Sequence, residues 1–98
     1  MIIRVAELYN PLVSVWQEEG VFEDCTQFWV NYNGAMHQAA EKYGVPVVER
    51  YQTFNGPDHT EDPRAKGYIL PDGEHLNELG VQKTVELIQE LGYKPVEQ

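Results

Sequence analysis

The sequence predicts an α/β fold, and three observations carry that expectation. Two short, β-branched apolar runs lie at residues 2–8 and 45–50. A long helix-periodic stretch separates them, and a second patterned helix closes the chain. Strand, helix, strand is a βαβ unit, which implies parallel pairing and a right-handed crossover.

The first run, from Ile2 to Leu8, stops at Tyr9-Asn10-Pro11, a turn signal. Between Leu12 and Gly20, the residues Leu12, Val13 and Trp16 suggest one face of a short helix ended by Gly20. Asp24 and Gln27 resemble a capping box. From there Phe28, Tyr32, Ala35, Met36, Ala39, Ala40 and Tyr43 recur at helical spacing. Gly44 is a natural stop with Pro46 beyond it, so a helix is expected over residues 25–43. Residues 45–50 form the second strand, with Pro46 tolerated at its start.

Residues 52–71 show no clear period and hold Gly56, Pro57, Pro63 and Gly67. A structureless loop of that length means a functional loop or a wrong assignment, and the first is favoured because it leads straight into Asp72 and His75. Asn77 is a good N-cap for the last helix, with Glu78 in its first turn. Val81, Val85, Ile88 and Leu91 make its expected buried stripe, with Leu87 alongside, and Gly92 and Pro95 end it. The 98 residues suit one small domain, spanning residues 1–98. Trp16, Trp29, Tyr51, Phe54 and Tyr68 are expected in the core.

The formal charge is −9, from 16 acidic and 7 basic residues, scattered rather than clustered. That balance argues against nucleic acid and anionic membrane surfaces, which need grouped Lys and Arg. No apolar run approaches the ~20 residues that span a bilayer. The single cysteine, Cys25, excludes a disulfide scaffold. Met1-Ile2-Ile3-Arg4 lacks signal-peptide architecture, which leaves the cytoplasm as the default compartment.

Two parallel strands do not close an α/β domain, because parallel sheets are covered on both faces and have more strands. Their open edges invite another chain. A homo-oligomer or a domain-swapped assembly is therefore expected.

The chemistry concentrates in Asp72-Gly73-Glu74-His75. A turn at Gly73 brings the Asp72 carboxylate to the His75 imidazole, supplying an orienter and a base. The competing reading is an Asp-Gly turn with a surface histidine. His59, with Asp58, Glu61 and Asp62, is a weaker metal-ligand candidate near His75 and Glu74, without zinc-like spacing; a solvated acidic loop fits it better. His37 reads as a surface or boundary residue of the long helix. Cys25 has nothing that ties it to His75. Ser14, the only serine, lacks the small neighbours of a nucleophile elbow.

Asp72-Gly73-Glu74-His75-Leu76-Asn77-Glu78-Leu79-Gly80 resembles the last block of the SGNH hydrolases, the GDSL-type esterases and lipases. Tyr9-Asn10-Pro11, the helix ending Ala39-Ala40-Glu41-Lys42-Tyr43-Gly44 and the strand Val45-Pro46-Val47-Val48 follow the same order. The resemblance implies a partial flavodoxin-like three-layer α/β/α fold, the C-terminal half of such a domain. It implies ester hydrolysis through an acyl-enzyme, with His75 as general base and Asp72 as its orienter. It implies no metal or organic cofactor, and a small-molecule ester as substrate once the other half is present. The Gly-Asp-Ser nucleophile block and the Gly and Asn oxyanion blocks have no counterpart among these residues. Alone, the chain is expected to be inactive as an esterase. The alternative is a non-catalytic oligomerising or binding module derived from that fold.

Overall fold

The computed structural model describes residues 2–95. The fold is mixed α/β, with a two-stranded parallel sheet of β1 (Val5–Ala6) and β2 (Val47–Val48). Val5 pairs with Val47 and Ala6 with Val48. Among the described residues four helices complete it: α1 (Val13–Glu18), α2 (Phe22–Lys42), α3 (Arg50–Asn55) and α4 (Glu78–Glu90). The parallel pairing matches expectation, and so does the element order apart from α3, which was not expected.

Both strands are shorter than the runs of residues 2–8 and 45–50 that suggested them. With only one neighbour, each strand is held by a few ladder bonds, such as Val5 N–H to the Pro46 carbonyl and Glu7 N–H to the Val48 carbonyl. The chain leaves β2 directly into α3, so Arg50 begins a helix rather than ending a strand. That helix also occupies the first part of the loop expected over residues 52–71.

Helix α2 starts three residues before the expected Cys25. Val21 stands at its cap without a side-chain bond, so the Asp24–Gln27 capping box does not form. Asp24 instead places a carboxylate in the positive first turn, and the Gln27 amide donates to Asn31 Oδ1 at 3.0 Å. Gly44, at φ 65°, ends the helix as its sequence position indicated.

The inward face of α2 differs from the expected one. Phe28, Tyr32 and Tyr43 are exposed, and Ala35 and Ala39 with them. The buried and half-buried side chains of α2 include Trp29, Asn33, His37 and Ala40; Trp29 packs on Trp16 of α1, and Asn33 and His37 reach Leu8 and Glu7 just beyond β1. The polar members of this set serve the end of the strand. Asn33 Oδ1 accepts from Leu8 N–H at 2.9 Å and its Nδ2 donates to the Leu8 carbonyl at 3.0 Å. His37 Nε2 lies 2.7 Å from Glu7 Oε2. Backbone groups next to a short strand need partners, and two-strand pairing leaves those of Leu8 to a side chain.

Helix α4 packs on β2 and begins at Asn77, whose Oδ1 accepts the Gly80 N–H at 2.9 Å. Its expected buried stripe is largely uncovered: Val81 is 50% exposed and Val85 44%. Gly80 is buried, and a β-carbon there would collide with the Tyr68 carbonyl oxygen.

The core is correspondingly small. Among the described residues, the buried apolar side chains are Val13, Ala40, Val48, Tyr51, Phe54 and Pro63. Trp16 and Trp29 are half-buried and pack edge-on at 5.2 Å, and Phe54 stacks on half-buried Tyr68 at 5.1 Å. The radius of gyration is 14.4 Å, against about 13 Å for a well-covered domain of this length.

Candidate active site

Asp72 and His75 stand at the tip of a hairpin that spans residues 67–77. Ile69 and Leu76 form an antiparallel bridge at its base. Leu70 N–H donates to the His75 carbonyl at 2.7 Å, and Gly73 N–H to the Leu70 carbonyl at 2.9 Å. Gly73 has φ 80°, a left-handed conformation that glycine adopts without steric cost. Asn77 locks the stem from the helix side. Its N–H donates to the Tyr68 carbonyl at 2.9 Å and its Nδ2 to the Gly67 carbonyl at 2.7 Å.

The turn places His75 Nδ1 2.6 Å from Asp72 Oδ2. The other carboxylate oxygen, Oδ1, accepts two backbone N–H groups, from Glu74 at 2.9 Å and His75 at 3.0 Å. These backbone donors, with the imidazole third, hold the Asp72 carboxyl down at about 2. An ionised Asp72 can only accept, so Nδ1 carries the proton and the lone pair of neutral His75 falls on Nε2. The hydrogen bond to Asp72 in turn raises the His75 pKa above its ordinary value. Both side chains face solvent, with the imidazole 73% exposed. Nε2 has no partner among the described residues.

His75 and Glu74 form one side of an open groove of about 460 Å³. Leu8, Pro11, Leu12 and Trp29 supply its apolar surface, and Tyr9 and Arg50 its polar part. Tyr9 joins the groove to the hairpin, since its hydroxyl donates to the Glu74 carbonyl at 3.1 Å. Burial raises the Tyr9 pKa, and the nearby Arg50 opposes that shift. Arg50 is anchored by its Nε, which donates to the Glu7 carbonyl at 3.0 Å, and its guanidinium sits 5.0 Å from the Tyr9 ring centre.

Beneath the groove, paired asparagines fix the Tyr9–Pro11 turn. Asn10 N–H donates to Asn55 Oδ1 at 2.9 Å, and Asn55 Nδ2 donates to the carbonyls of Asn10 at 2.8 Å and Glu61 at 3.0 Å. Asn10 and Asn55 are both completely buried.

The other candidates lie elsewhere. His59, at φ 62°, stacks on Tyr51 with ring centres 3.8 Å apart. It lines a separate pocket with Glu7 and His37, not the His75 groove. Among the described residues no three His, Cys, Asp or Glu side chains converge as a metal site. Ser14 lies on α1 and Cys25 on α2, and neither lines the groove. Among the described residues no helix is long and apolar enough to cross a membrane.

Sequence reasoning missed Arg50, Leu8, Leu12 and Trp29 as groove residues. The Tyr-Asn-Pro turn signalled where the strand would deliver the groove, but Arg50 was hidden in an apparent strand. No protein-family model, curated protein or solved structure matches the chain.

Proposed function

We propose that the chain carries the base and orienter of a serine ester hydrolase of SGNH type, built on a partial flavodoxin-like three-layer fold. The supporting observation is the 2.6 Å contact between His75 Nδ1 and Asp72 Oδ2, with the carboxylate braced by two backbone N–H groups. That arrangement leaves Nε2 free to take a proton from a hydroxyl nucleophile and later return it to the leaving alcohol. His75 is the general base and Asp72 its orienter. The nucleophile comes from polypeptide outside these 98 residues, and the groove beside His75 receives part of a small ester.

The test joins the chain to any in-frame Gly-Asp-Ser segment encoded upstream and follows hydrolysis of 4-nitrophenyl acetate. The joined protein should turn over, and His75→Ala should lower kcat by about a thousandfold or more. The 98 residues alone should stay near background. A joined protein that is inert, or indifferent to His75→Ala, refutes the proposal.

A second reading is favoured by the uncovered apolar surface. Phe28 and Tyr32 on α2, and Val81 and Val85 on α4, are all exposed, and β1 has an open edge. On this reading the chain is an oligomerising module, completed by a second copy or a swapped element. Sedimentation equilibrium should then show a dimer or larger assembly, and a compact monomer excludes it.

A further inference from the structure

Arg50 stands out in the groove beside His75. Its Nε is anchored on the Glu7 carbonyl and its guanidinium is stacked near the Tyr9 ring, so the side chain is held in one place. Among the described residues its two terminal nitrogens take no hydrogen bond, and no carboxylate forms an ion pair with them. The nearest buried acid, Glu7, is already committed. Its Oε2 meets His37 at 2.7 Å and its Oε1 accepts the Tyr51 N–H at 3.0 Å. Arg4, Lys42 and Arg64 also form no ion pair among the described residues, and what distinguishes Arg50 from them is its fixed place in this groove.

The rest of the groove suits an organic anion rather than a bare ion. Leu8, Pro11 and Leu12 offer apolar contact, and Trp29 adds an aromatic wall whose indole N–H is buried without a partner. A fixed guanidinium presents paired N–H donors that match the two oxygens of a carboxylate or the oxygens of a phosphate. Glu74 shares the groove and disfavours an anion beside His75, so the charged group belongs near Arg50 and the apolar part between them.

We propose that Arg50 makes this groove a receptor for the oxyanion of an organic ligand, a carboxylate or phosphate carried on an apolar or aromatic body. The assignment of that ligand as the ester acted on by His75 rests on the function proposed above. The oxyanion site itself does not.

Proton–nitrogen correlation spectra of the ¹⁵N-labelled chain test it, with benzoate, phenyl phosphate and neutral benzamide as probes. Benzoate or phenyl phosphate should shift the Arg50 side-chain Nε–Hε and Trp29 indole signals saturably, and benzamide should not. Arg50→Met should weaken benzoate binding by about tenfold or more. Arg50→Lys, which keeps the charge, should retain part of the affinity, and His75→Ala should retain nearly all. Thermal unfolding shows whether each variant is folded, and the wild-type shifts decide the matter if Arg50→Met is not. Equal shifts with benzamide, no saturable shift at Arg50, or benzoate binding lost in His75→Ala but kept in folded Arg50→Met, each overturn the proposal. Saturable benzoate binding in a chain whose joined form hydrolyses no ester would leave the oxyanion site standing and remove only the esterase reading.

Discussion

Replacing Gly80 with alanine sets two physical effects directly against each other. Gly80 is the third residue of α4, where an exposed Gly→Ala change would stabilise a helix by up to about 1 kcal/mol. The site is not exposed. The new methyl would collide with the Tyr68 carbonyl oxygen and press on Leu76, whose Cδ2 and Cβ lie 3.0 and 3.2 Å from its position. The Tyr68 carbonyl cannot simply retreat, because it accepts the Asn77 N–H at 2.9 Å and so closes the hairpin stem. Overpacking of this kind costs about 1–3 kcal/mol, and a lost stem hydrogen bond about 1 kcal/mol more. Packing therefore outweighs propensity, and a net loss of roughly 1–3 kcal/mol is expected. For a chain of this size that lowers Tm by roughly 5–15 °C. Circular dichroism during thermal and urea unfolding measures it. A second readout follows from position, since the stem that moves carries the dyad: the His75 titration curve should shift in Gly80→Ala. An unchanged or raised Tm would refute the claim that close approach, not helix propensity, governs this glycine.

Asp72→Asn should lower the His75 pKa toward its ordinary value, because the bond to an anionic acceptor is the main cause of its rise; imidazole proton shifts against pH measure this, and an unmoved titration contradicts it. The converse variant, His75→Ala, should leave Asp72 strongly acidic, because two backbone N–H groups rank above the imidazole in holding its pKa down. The signs of the pH dependence follow. The stabilising effect of Asp72 is present above its ordinary value of 3.8 and is lost as pH falls toward about 2. That of His75 is present below its ordinary 6.5 and is lost as pH rises through the raised value. Asn55→Ala should cost about 2 kcal/mol or more, since it strands the buried N–H and carbonyl of Asn10 at about 1–3 kcal/mol for a stranded group; a urea midpoint within error of wild type would contradict it.

What could be read from the sequence was what depends on neighbours along the chain. The Asp72–His75 contact is made within one turn, around a glycine whose left-handed backbone the Asp-Gly pair announces. The Asn77 cap and the Gly44 stop are of the same local kind, whereas the parallel pairing of Val5 with Val47 is long-range and was legible only through the strand-helix-strand order. What could not be read depends on how much surface the fold has to cover. Periodicity assigned Phe28, Tyr32 and Tyr43 to the inside of α2 because apolar residues normally face a core. A two-stranded sheet offers too little surface for that, and the helix instead turns toward β1 the side chains that the strand requires. Arg50 was misread for a related reason: a β-branched run followed by two charges looks like a strand, and the bond that serves the first turn of α3, Tyr51 N–H to Glu7 Oε1, comes from a distant part of the chain.

The polar side chains of this fold perform work that larger sheets assign to further strands. Asn33 donates to and accepts from the Leu8 backbone, as the next strand of a ladder would. Glu7 accepts the Tyr51 N–H in the first turn of α3, a helix whose own cap residue, Glu49, makes no side-chain bond. Asn55 does the same for Asn10 and Glu61. Five of these six hydrogen bonds involve residues 7–10, the segment that carries one wall of the His75 groove. Such amide and carboxylate contacts are individually worth about 1 kcal/mol, yet costly to break when buried. They fix the position of Tyr9, and Tyr9 holds the Glu74 carbonyl. The groove is thus held by these hydrogen bonds together with the packing of Tyr9 on buried Phe54 at 5.4 Å, and the exposed stripes of α2 and α4 remain open to a partner without being needed to shape the groove.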